Sequence, residues 1–161
     1  MSNGQLPEWL RQKHAIFADV EKEKQAQRLA KMTVKAEGET FWRQVCDELK
    51  LVADNPPEPL QVRYHHAPSP TSRHEDHCRI EIGYSCASPR ISYTDLWYVP
   101  GEEGIRYKQM LGAESYLRLC LVEERICAIG KSGPMSAEDV AEFIAKPLIE
   151  YAMPAALAGV S

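Results

Sequence analysis

Apolar positions follow a helical period at both ends of the chain and a period of two between them. Residues 41 to 52 show the helical period most clearly. Phe41, Trp42, Val45, Cys46, Leu49 and Val52 fall on one side, opposite Arg43, Gln44, Asp47, Glu48 and Lys50. The "NPPEP" run that follows ends this helix, because prolines remove backbone donors and bias their predecessors away from helical angles. Upstream, residues 7 to 35 predict a longer helix with a less complete stripe. Trp9, Ile16, Phe17 and Val20 share a side, "EKEKQAQR" interrupts it, and Leu29 and Met32 resume it. Pro7 suits a first turn, and Gly38 predicts a stop before the helix at 40–53.

Between residues 60 and 130 the alternation predicts strands. Leu60, Val62 and Tyr64 mark the first, and Cys78, Ile80, Ile82, Tyr84 and Cys86 the second. Ile91, Tyr93, Trp97 and Val99 mark a third, turned by "PGEEG" into a fourth at "IRYKQML"; Leu117, Leu119 and Leu121 mark a fifth. "ERICAIG" reads as a sixth, in a hairpin with the fifth. Ser136 and Asp139 then resemble a capping box, ahead of a last helix whose buried stripe is Val140, Phe143, Ile144 and Leu148 and whose final turns Pro147 should kink or loosen. The expected fold is α+β: an antiparallel meander of five or six strands, amphipathic helices at 40–53 and 137–150 on one face, and a long N-terminal helix. The expected division is an arm at 1–38, an α+β domain at 39–153 and a tail at 154–161.

Composition narrows the function. The chain has 161 residues, 44% hydrophobic and 26% charged, which is enough for one ordinary globular core. Residues 1–36 hold seven Lys or Arg against four acids, and the rest hold twelve against nineteen, so the body is acidic. Nucleic-acid binding draws its affinity from basic surface, and is therefore not expected. No apolar run reaches the roughly 18 residues of a membrane span, and "MSNGQLPEW" lacks the features of a signal peptide, so no membrane partner and a cytoplasmic location are expected. Five cysteines without any CxxC fit reduced thiols.

Candidate chemistry centres on "RYHHAPSPTSRHEDHC", residues 63–78. His66, His74, His77 and Cys78 are the residue types of a zinc site, which needs three or four donors converging at roughly 2.0–2.3 Å. Register is the obstacle. Pairing Val62 with Ile82 and Tyr64 with Ile80 also sets Arg63 across from Glu81, and puts His66 opposite Cys78 on the core side, with His65 and His77 on the other. The expected reading is a polar hairpin loop, with neither metal nor cofactor. Asp95 falls between Tyr93 and Trp97 on an otherwise apolar face, where a carboxylate could anchor a ligand. A bulge at 94–96 is the favoured alternative, turning Asp95 outward and Leu96 inward. Cys120 and Cys127 would lie directly opposite each other across a Glu123–Glu124 turn, and two unreactive thiols are expected there.

The succession of "FWRQVCDELKLVADNPPEP", a meander and "GKSGPMSAEDVAEFIAKPLIEYA" resembles small uncharacterised bacterial α+β proteins with a TATA-box-binding-protein-like outline. The resemblance covers residues 40–151 and implies an architecture, with no catalytic residue attached. With well-patterned scaffold and no catalytic motif, the chain reads as a non-enzymatic interaction or accessory module. The rival is a small-ligand-binding domain with a pocket between sheet and helices near Tyr93, Asp95, Trp97 and Tyr107; a metal protein or enzyme is third. The N-terminal helix, through Trp9, Ile16, Phe17 and Val20, is expected to mediate association as a homodimer. At 1.5 Å per residue its roughly 28 residues span about 42 Å, further than so small a body.

Overall fold

A computed structural model describes residues 5–68, 75–84 and 92–158. One helix, α1 (Glu8–Asp54), covers both predicted N-terminal helices in 47 unbroken residues. Strands β1 (Leu60–Pro68), β2 (Asp76–Tyr84), β3 (Ser92–Tyr98), β4 (Gly104–Gln109), β5 (Glu114–Val122), β6 (Arg125–Gly130) and β7 (Gly133–Met135) follow, and α2 (Ala137–Ala158) closes the chain. The strands form a seven-stranded sheet in sequence order, antiparallel at every step.

Gly38 does not stop the helix. An internal glycine costs only about 1 kcal/mol relative to alanine, and no proline follows to enforce the break. Its role is tertiary: a Cβ at residue 38 would stand 2.7 Å from the Tyr98 hydroxyl and 3.6 Å from a Leu119 methyl, so glycine lets α1 lie close on the sheet. Gly38→Ala, which would stabilise an exposed helix, is therefore expected to destabilise this protein by about 1–2 kcal/mol through overpacking. Urea denaturation reads the sign, and a more stable variant would refute the close approach.

Both helices pack on one face of the sheet. Val34, Phe41, Trp42, Val45, Cys46 and Leu49 of α1, with Val140, Ile144 and Leu148 of α2, meet Val62, Ile80, Ile82, Leu96, Ile105, Leu117 and Leu119 in one core. Trp42 stacks on Tyr98 with ring centroids 5.7 Å apart. The capping box forms as expected: the Asp139 N–H donates to Ser136 Oγ at 3.1 Å, and the Ser136 N–H to Asp139 Oδ2 at 3.0 Å. α2 then runs past Pro147 without ending. Phe143, expected in its buried stripe, is exposed at the edge and meets Tyr107 edge-to-face at 5.7 Å.

The β1–β2 register is as expected, with Val62 opposite Ile82, Arg63 opposite Glu81, Tyr64 opposite Ile80 and His66 opposite Cys78. Strand β3 differs. Its ladder with β2 is unbroken from Asp76↔Tyr98 to Ile82↔Ser92, so there is no bulge at 94–96. Thr94, Leu96 and Tyr98 face the helices, and the whole set Tyr93, Asp95 and Trp97 faces away. Asp95 is thus turned outward and Leu96 inward, by a regular strand in the opposite phase. Glu123 and Glu124 form a two-residue turn, both with positive φ (48° and 63°), which sets Cys120 opposite Cys127 as free thiols. The short β7 was not expected; Gly133, at φ 112°, pairs with Gly130 across the Lys131–Ser132 turn. Cys86 and Ile91, expected in strands, lie outside the described residues.

Candidate functional site

Among the described residues, three places bring chemistry-bearing or exposed apolar side chains together. The first is the helix-free face of β2, β3 and β4. Asp95 is 7% exposed and accepts from Arg79 Nε at 2.7 Å and Nη2 at 3.0 Å, and is bonded to His77 Nε2 at 2.8 Å. Arg79 also lies 4.0 Å over the Tyr93 ring, while His77 stacks on Trp97 at 5.4 Å. On the far side of Trp97, Arg106 binds Glu75 and Glu114. Burial raises the Asp95 pKa, but the hydrogen bonds and charges of Arg79 and His77 outweigh it and hold the carboxyl below its ordinary value. Asp95 is therefore an ionised anchor whose oxygens are occupied, the opposite of a general acid with a raised pKa.

The second is the end of the β1–β2 hairpin on the helix side. Asp76 accepts from Trp42 Nε1 at 2.7 Å and is bonded to His66 Nε2 at 2.7 Å, tying α1 to two strands through one carboxylate. Behind it sit Cys46, Cys78 and Tyr64. The Cys46 thiol and burial push the Cys78 thiol well up, and burial with the two thiols does the same to Tyr64. Both stay protonated at neutral pH.

The metal candidates accordingly divide. His66 and Cys78 face the helices, His77 lies on the opposite side against Asp95, and His74 falls outside the described residues. Among the described residues, no group of three or more His, Cys, Asp or Glu converges to hold a metal ion. The ligand candidates divide too. Tyr93, Asp95 and Trp97 share the helix-free face, while Tyr107 lies on the other against Phe143, so the four do not line one pocket between sheet and helices.

The third place is the N-terminal half of α1. Trp9, Ile16, Phe17 and Val20 are 64%, 55%, 67% and 41% exposed, and Leu6, Leu29 and Met32 are exposed as well. Burial begins at Val34. The stripe of Trp9, Ile16 and Val20 lies in line with Val34, Gly38 and Val45 at 100° per residue, so the face that builds the core continues beyond the body and, among the described residues, is left exposed there. The arm neither folds back along the free face of the sheet nor docks on its own domain. Among the described residues no helix is long and apolar enough to cross a membrane. No known family model matches the chain, and no curated protein or solved structure shows significant similarity to it.

Proposed function

We propose that the protein is a non-enzymatic interaction module that assembles through the N-terminal arm of α1, in the first instance with a second copy of itself. The observation that carries this reading is the exposed stripe of Trp9, Ile16, Phe17 and Val20, collinear with a core-forming face. Soluble chains bury such runs of large apolar side chains, and those left exposed mark contact surfaces. The two polar clusters support a scaffold role, since Asp95 and Asp76 spend their oxygens on bonds within the chain.

Light scattering on the full chain tests it. Wild type is expected to be a dimer. The double variant Ile16→Glu/Phe17→Glu, altered only at exposed positions, should be a folded monomer by circular dichroism, with self-affinity weakened at least about 100-fold. A wild type that stays monomeric at high concentration, or a double variant that stays dimeric, would refute the reading.

A further inference from the structure

The apparent break in the stripe at 21–28 is itself patterned. Leu6, Lys13, Val20, Gln27 and Val34 recur every seven residues, and Trp9, Ile16, Glu23 and Ala30 form a second seven-residue row three positions on. Two such rows are the seam of a coiled coil, and this one leads into the buried Val34. A strict seven-residue repeat drifts by only about 20° per heptad on a straight helix, a mismatch that a gentle left-handed supercoil absorbs. The seam is thus continuous and carries three polar members, Lys13, Glu23 and Gln27.

Resting on the proposed self-association, we infer that two copies pair their arms antiparallel, with the two-fold axis level with Ala18 and Lys13 of each copy against Glu23 of the other. In that register Ile16 meets Val20 and Trp9 meets Gln27, so each large apolar side chain of the seam within α1 faces either another or a residue without charge. A parallel, in-register pair would instead place Lys13 on Lys13 and Glu23 on Glu23 inside the seam. Sliding the antiparallel pair by one heptad sets Lys13 against Ile16 in one direction, and Lys13 against Ala30 with Glu23 against Val20 in the other, leaving charges unpaired among apolar groups. Charge complementarity therefore selects one register. Polar seam residues commonly fix register in this way, at some cost in stability. Asp19 meets its own copy on the solvated flank, where salt screens the repulsion.

A second observation points to the same arrangement. Where the arm joins the body there is an open cleft of about 450 Å³, lined by Gln27, Ala30 and Val34 of α1 and by Leu119 and Leu121 of β5, among others. The antiparallel register delivers Trp9, in the first turn of the second copy's α1, to this end of the arm. The bulky tip of one helix thus arrives beside a cleft in which Ala30, Val34, Leu119 and Leu121 lie alongside the charged Lys31, Glu103 and Arg118.

Charge exchange on the full-length protein tests the register. Lys13→Glu places two like-charge pairs in the seam, as does Glu23→Lys, and each should weaken dimerisation at least about 100-fold by light scattering. The double variant Lys13→Glu/Glu23→Lys restores both opposite-charge pairs and should recover an affinity within about tenfold of wild type. Both positions, Lys13 and Glu23, are exposed in the arm, so folding is not at stake. Single variants that dimerise normally, or a double variant that stays monomeric, would overturn the antiparallel register while leaving self-association standing. A monomeric wild type would overturn the self-association on which it rests.

Discussion

Trp42→Ala is expected to cost about 3–5 kcal/mol of folding stability, the range for truncating a fully buried indole. Trp42 is 1% exposed, stacks on Tyr98 and donates from its ring nitrogen to Asp76, so it fastens α1 both to the centre of the sheet and to its first hairpin. Trp42→Phe separates the two contributions. It keeps most of the apolar volume and loses the hydrogen bond to a carboxylate that His66 still engages, so a cost of about 1–2 kcal/mol is expected. Urea denaturation of both variants checks this. An alanine cost below about 2 kcal/mol would mean that α1 is not anchored where the core places it.

How far the chain announces this arrangement depends on whether its local pattern is one-sided. Val62, Tyr64, Ile80 and Ile82 alternate with plainly polar neighbours, so the register of β1 and β2 can be read directly, and with it the division of the histidines between two faces. In β3 both phases are apolar: Tyr93 and Trp97 compete with Leu96 and Tyr98. Only pairing with β2 decides between them, which sets Cys78 and Ile80 beside Leu96 and Thr94. The outward phase finds partners of its own, Tyr93 under Arg79 and Trp97 between His77 and Arg106.

Gly38 misleads for a related reason. Its helix-breaking tendency is local, whereas its use is the close approach of Tyr98, 60 residues away in sequence. Asp76 appears as one more polar loop residue until Trp42 is brought to it by the fold, and β7 is too short, with Gly and Pro in its three residues, to show any period. The arm is the converse case. Its stripe breaks from the pattern of a docked helix in the sequence itself, and the structure leaves it exposed.

Asp95→Asn is expected to cost about 1–3 kcal/mol at neutral pH, well above the roughly 0.5 kcal/mol typical of an outward-facing surface residue. The amide keeps the size of the carboxylate but loses its charge, and it can no longer accept all three bonds from Arg79 and His77. The loss stays below that of a fully buried pair, because the Arg79 side chain remains 34% exposed to solvent that can partly replace its partner. The pH dependence is the more specific signature. Because the folded-state pKa of Asp95 is depressed, its contribution is fully present above the unfolded-state value of about 3.9 and is lost as the pH falls through the folded value. The stability gap between wild type and Asp95→Asn should therefore close as the pH drops from about 5 toward 2. Below about pH 5 other carboxylates titrate in both proteins, so the difference isolates this one. A gap that is absent at pH 7, or that widens as the pH falls from about 5 toward 2, would show that Asp95 is not the ionised anchor of the helix-free face.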